Sequence, residues 1–119
     1  MSLTVLLVDD DPVVRKFVAN VLGTQRYIVL QAESAAAASH VVEATTSSID
    51  ILIADHLLID AYGHEVVRYV RAAYPDLKVV YMSGYPRDMV DPVPANALYL
   101  QKPFSPVELR DALSTLQTQ

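Results

Sequence analysis

Cysteine is absent from the 119 residues, which excludes a disulfide scaffold, thiolate metal sites and thiol catalysis. Glycine is scarce, at three residues, while 52% of the chain is hydrophobic. That balance excludes a disordered or low-complexity tail, which could not offset the entropy of ordering. Basic charge is also thin: nine Lys and Arg lie scattered along the chain against a formal net charge of −5. A nucleic-acid-binding surface needs a clustered basic patch, so no direct nucleic acid binding is expected. The apolar runs are each a handful of residues, too short to span a bilayer, and the N-terminus lacks the charged region and cleavage site of a secretory signal. These absences lead to the expectation of one cytoplasmic domain over residues 1–119, with no membrane insertion.

Apolar runs of strand length alternate with segments of helical period. Thr4 to Val8 is a continuous aliphatic and β-branched run, the pattern of a strand buried on both faces. It stops at Asp9-Asp10-Asp11-Pro12, where Asp11 suits a helix cap and Pro12 the first helical turn. Val13, Val14, Phe17, Val18, Val21 and Leu22 then recur at helical spacing until Gly23, which is expected to close the helix. Tyr27 to Gln31 reads as a second strand, and Ser34 as the cap of an alanine-rich helix facing inward through Ala37, Ala38, Val41 and Val42. Ile51 to Ala54 is a third strand ending at Asp55. A helix follows Gly63 and stops at Pro75; Lys78 to Met82 is a fourth strand, and Leu98 to Gln101 a fifth. Pro106 opens a last helix with Leu109, Ala112, Leu113 and Leu116 on its inner face. Such alternation implies a doubly wound α/β fold with a five-stranded parallel sheet and right-handed crossovers. Between the fourth and fifth strands, Pro86 to Pro94 carries three prolines in nine residues, so a fourth helix there is expected to be short or missing.

Polar residues collect at the carboxyl ends of these strands. Asp9 and Asp10 follow the first, Asp55 the third, Ser83 the fourth and Lys102 the fifth. In an open parallel sheet that edge is where ligands bind. Crowded carboxylates repel unless a cation sits among them, and oxygen donors without His or Cys favour a hard ion such as Mg²⁺. An ammonium and a hydroxyl, from Lys102 and Ser83, suit an oxyanion. The set describes a phosphoryl site with Asp55 as nucleophile. Asp9 in isolation would be an ordinary helix cap and Ser83 a turn serine; their convergence with Asp55 and Lys102 distinguishes them. His40 and His64 are expected as solvated helix residues, and His56 as an exposed loop histidine beside the acceptor.

Four segments carry a family resemblance: Leu7-Val8-Asp9-Asp10-Asp11-Pro12, Asp50 to Asp55 with Gly63 downstream, Met82-Ser83-Gly84-Tyr85, and Leu100-Gln101-Lys102-Pro103-Phe104. In that order, each following a strand, they resemble the receiver domain of two-component response regulators, of flavodoxin-like fold, over essentially the whole chain. The resemblance implies a phosphoprotein that accepts a phosphoryl group on Asp55 from a histidine kinase or histidine phosphotransfer protein. It implies Mg²⁺ held by Asp10 directly, by Asp9 mainly through water, by Asp55 and by the backbone carbonyl of Leu57. Ser83 and Lys102 would bind phosphoryl oxygens, Ser83 and Tyr99 would form the conformational switch, and Lys102-Pro103 would be a cis peptide. The chain departs from the usual pattern at Ile59 and Asp60, where many members carry Pro and Gly. The broken fourth helix is more similar to receivers attached to hybrid sensor kinases.

Two other functions are compatible with parts of this set. An aspartyl-phosphate phosphatase would place a second carboxylate two residues after the nucleophile, where this chain has Leu57. A receiver-like binding module independent of phosphorylation would not need all of Asp9, Asp10, Asp55, Ser83 and Lys102. Leu57 and Tyr85 flank the acceptor and are poor at orienting water, so a long-lived acyl phosphate is expected.

Overall fold

In a computed structural model, which describes residues 2–118, the buried strands form one five-stranded parallel sheet. Chain order gives β1 (Thr4–Val8), α1 (Pro12–Thr24), β2 (Ile28–Ala32), α2 (Ala35–Ala44) and β3 (Ile51–Asp55). There follow α3 (Gly63–Ala73), β4 (Lys78–Ser83), β5 (Ala97–Gln101) and α4 (Pro106–Gln117). The sheet order is β2-β1-β3-β4-β5, so the winding reverses at β1 and β3, and a crevice opens beyond their carboxyl ends.

Alternation along the central strands divides the core into two layers. Leu6, Val8, Leu52, Ala54, Val79 and Tyr81 face α2 and α3 through Ala38, Val66, Val67 and Val70. Val5, Leu7, Ile51, Ile53, Val80 and Met82 face α1 and α4 through Val18, Val21, Leu22, Leu109, Leu113 and Leu116. Because β1 and β3 are covered on both sides, residues 5–8 and 51–54 are continuously apolar, and every residue in the two strands is buried.

The helix ends follow the local chemistry. Asp11 caps α1 by accepting from the Val13 amide, with Pro12 in the first turn. Ser34 caps α2, and Ser105 with Glu108 forms a reciprocal capping box on α4. One expectation fails: Gly23 lies inside α1, which runs on to Thr24. The left-handed residue after that helix is Arg26, at φ 65°. The turn requires its αL residue three positions later than glycine alone suggested. The proline-rich stretch contains only a 3₁₀ turn, Arg87–Met89, in place of a fourth helix. Among the described residues no helix is long and apolar enough to cross a membrane.

Candidate phosphoryl and metal site

Strand register determines which side chains meet. Val8 pairs with Ala54, so Asp9 and Asp55 leave adjacent strand ends at the same level. Asp55 pairs with Met82 and Ser83 with Gln101, which brings Ser83 and Lys102 to the same edge. One carboxylate oxygen from each of Asp9, Asp10 and Asp55 lies within 4.8 Å of the others. Lys102 Nζ bridges two of them, 2.8 Å from Asp9 Oδ2 and 3.1 Å from Asp55 Oδ1.

The three aspartates differ in their surroundings. Asp9 is fully buried, and its other oxygen accepts from the Asp11 amide at 2.8 Å. Arg15, from α1, donates to the Asp9 backbone carbonyl at 2.7 Å. Asp10 is exposed, and Asp55 is only 8% exposed. Burial, reinforced by the Asp9 charge, raises the Asp55 carboxyl from 3.8 to about 6, although Lys102 pulls it back. Burial opposes the charge on Lys102, but its bond to Asp9 and the nearby Asp55 charge outweigh this and raise its pKa. The carboxylates are therefore short of positive charge even with Lys102 between them. An all-oxygen set in that condition fits a hard divalent cation.

Ser83 is buried at 1% exposure, and its hydroxyl accepts from the Tyr85 amide at 3.1 Å. Its carbonyl accepts from the Lys102 amide at 2.7 Å, tying the β4 and β5 ends together. Tyr99 pairs with Tyr81 across the sheet, is half-buried, and its hydroxyl donates to the Tyr85 carbonyl. The Lys102-Pro103 peptide is cis, and so is Asp91-Pro92. The Leu57 carbonyl receives no hydrogen bond from the described residues, so its lone pairs remain available. The Leu57 and Tyr85 side chains are both about half exposed, at 53% and 52%.

Gly63 shows how closely the acceptor is packed. A Cβ there would stand 2.1 Å from the Asp55 carbonyl oxygen and 2.8 Å from Tyr81 Cε1. Only glycine permits that approach.

His56 corrects an expectation. It is partly buried, with ring centroids 6.0 Å from Tyr62, 6.1 Å from Tyr81 and 6.4 Å from Tyr85. Burial, followed by the nearby His64, lowers its pKa. His64 is also partly buried and stacks on Tyr62, while His40 is exposed as expected. One residue beside the site has no local pattern to reveal it: Tyr81, wholly buried in β4. Asp60, which the sequence marks only as a departure from the usual pattern, reaches α2 from the loop after the acceptor.

Comparison with known proteins agrees with this geometry. The sequence model of the response regulator receiver domain matches residues 5–114, and the chain belongs to that family. Sensor kinase CckA of Brucella abortus (strain 2308) is 35% identical over 107 residues, which cover 87% of this chain. The chain spans 11% of that kinase's length. A response regulator receiver protein from Sinorhizobium medicae WSM419 superposes with TM-score 0.85 at 27% identity, covering 98% of this chain and 95% of that one. Response regulator protein TrrA of Thermotoga maritima, solved in complex with Mg(2+)-BeF, superposes with TM-score 0.82 at 26% identity, covering 98% and 99% of the two chains. The fold is thus the flavodoxin-like receiver fold of two-component signalling.

Proposed function

We propose that this chain is a phosphoacceptor in a two-component phosphorelay, taking a phosphoryl group on Asp55 with Mg²⁺ held among Asp9, Asp10 and Asp55. The observation that carries this reading is the meeting of those three carboxylates within 4.8 Å, with Lys102 bridging Asp9 and Asp55. The Leu57 carbonyl is the fourth protein ligand in this reading. Bound there, Mg²⁺ would supply charge neutralisation to phosphoryl oxygens that no other group in the site can match.

An Asp55 carboxylate oxygen attacks phosphorus in a phosphohistidine of a histidine kinase or histidine phosphotransfer protein. The new O–P bond forms as the P–N bond breaks, and the electron pair leaves with the imidazole nitrogen, which takes up a proton. Lys102 Nζ, already at Asp55 Oδ1, is placed to pair with a phosphoryl oxygen. The Ser83 hydroxyl now only accepts a bond and keeps its proton to donate to the incoming group. Turning Ser83 toward that group frees the Tyr85 amide, in the same loop whose carbonyl holds Tyr99. Phosphorylation would bias this Ser83–Tyr85–Tyr99 linkage, because it favours whichever arrangement contacts phosphate better.

For the partner, the relevant surface is an apolar groove of about 370 Å³ beside the acceptor edge. Val13, Val14, Phe17, Pro103 and Phe104 line it, with the Phe17 and Phe104 rings 5.9 Å apart. It suits an apolar helix face that carries the donor histidine. The likeness to a sensor kinase's receiver favours a place within a multi-step relay.

The test is intact mass after incubation with acetyl phosphate and Mg²⁺, beside a metal-free control. A metal-dependent gain of one phosphoryl group is expected. Failure to gain it from either acetyl phosphate or candidate kinases, with no Mg²⁺ bound, would instead favour a phosphorylation-independent binding module. Release of phosphate from small esters with turnover would favour a phosphatase.

A further inference from the structure

The loop between β3 and α3 is tied to the N-terminus of α2, an element distant from it in the chain. The Asp60 carboxylate accepts from the Ala35 amide at 2.8 Å through one oxygen and from the Ala36 amide at 3.0 Å through the other. These are the first two amides of α2, and the third, Ala37, donates to Ser34 Oγ at 3.0 Å. The first turn of a helix leaves its amides without intrahelical partners. Here Asp60, 24 and 25 positions along the chain, satisfies two of them.

An anion at a helix N-terminus is favourable, and the two amide bonds hold the Asp60 carboxyl below the ordinary carboxylate range. Yet α2 already has its own cap in Ser34, and Asp60 is exposed to water that could satisfy both amides. The contact constrains the loop more than it serves the helix. Elsewhere the loop is held by Leu58, buried at 5% exposure, and by three backbone bonds: His56 amide to Met82 carbonyl, Gly63 amide to His56 carbonyl, and Leu58 amide to Ala61 carbonyl. Those bonds shape the loop internally or pin its base. Asp60 alone among its polar side chains anchors the tip to another element.

We infer that Asp60 is a positioning residue for the phosphoryl site, fixing the loop that carries the Leu57 carbonyl against the N-terminus of α2. The inference rests on the Mg²⁺-dependent acceptor reading given above. With the loop docked, the segment that carries this carbonyl keeps one position before the cation arrives. With the loop released, part of the binding free energy is spent on ordering it. Groups that orient metal ligands without touching the metal commonly change affinity by tenfold or more.

The experiment measures Mg²⁺ affinity by amide NMR titration of the full chain, for the parent and for Asp60→Ala, Asp60→Asn and Ser34→Ala. Thermal stability is recorded alongside. Ser34→Ala removes a cap from the same helix end without touching the loop, so it reports what destabilising α2 does by itself. Asp60→Ala is expected to bind Mg²⁺ about tenfold more weakly than the parent. Asp60→Asn, which keeps one acceptor oxygen, should fall between, and Ser34→Ala should match the parent. Equal Mg²⁺ affinities for Asp60→Ala and Ser34→Ala would overturn the inference. A parent that binds no Mg²⁺ would overturn both this inference and the acceptor reading. A parent that binds Mg²⁺ but refuses the phosphoryl group would sink the acceptor reading alone, and the affinity series would still decide the role of Asp60.

Discussion

Asp55 and Lys102 illustrate how a site is assembled against its own electrostatics. A carboxyl raised from 3.8 to about 6 binds its proton more tightly in the folded state than in the unfolded one. Its contribution to stability is therefore full in acid and is lost as pH rises through about 6. Metal-free protein should thus lose about 2 kcal/mol between pH 4 and 7 from this group. Asp55→Asn should remove that pH dependence and be the more stable protein at neutral pH. Thermal melts in chelator across that range check it, and an unchanged profile in the variant would contradict it. The flanking residues bear on lifetime instead. Leu57→Asn replaces an exposed apolar side chain with one that can orient water. It should lose its phosphoryl group severalfold faster, as followed by phosphate release; an equal rate would refute shielding by Leu57.

The elements show where local sequence is sufficient and where it is not. Strands β1 and β3 were legible because burial on both faces leaves a continuous apolar run, and the four acidic or basic positions at strand ends followed directly. Caps at Asp11, Ser34 and Ser105 were equally local. The end of α1 was not: Gly23 tolerates the helix interior, and the following turn places its positive φ on Arg26, which no side-chain preference announces. The sequence does not reveal the partial burial of His56, because its neighbours Tyr81 and Tyr85 lie on another strand and loop. Asp60 was visible only as a departure from a pattern, since its partners lie on α2. At this scale Gly63 is the sharpest test. Gly63→Ala places a methyl 2.1 Å from the Asp55 carbonyl oxygen, so the start of α3 or the end of β3 must move. The variant should lose about 2 kcal/mol or more of stability and weaken Mg²⁺ binding as well. Denaturant melts and metal titration would show it; a variant like the parent in both would mean that the junction can relax freely.

Across the whole molecule, the winding of the sheet sets function apart from stability. Its reversal at β1 and β3 puts the carboxylates at one edge, while the two apolar layers beneath hold the strand ends in register. The same edge carries the apolar groove between α1 and the turn after β5, lined by Val13, Phe17 and Phe104. If a histidine-bearing partner docks there, Val13→Asp should slow phosphoryl transfer from that partner by about tenfold while leaving phosphorylation by acetyl phosphate unchanged. A loss of one contact of about 1.4 kcal/mol suffices for that ratio. Parallel transfer assays with the two donors separate docking from chemistry, and equal slowing with both would place the defect in the site itself.

Asp55 is the proposed carrier of the phosphoryl group. Borohydride reduction of the phosphorylated chain, followed by peptide mass mapping, tests it directly, because an aspartyl phosphate is reduced to homoserine. Homoserine is expected at position 55 alone, only when Mg²⁺ was present during phosphorylation, and none in Asp55→Asn. Homoserine at Asp9 or Asp10, or a reduced position 55 formed equally well without the metal, would contradict it.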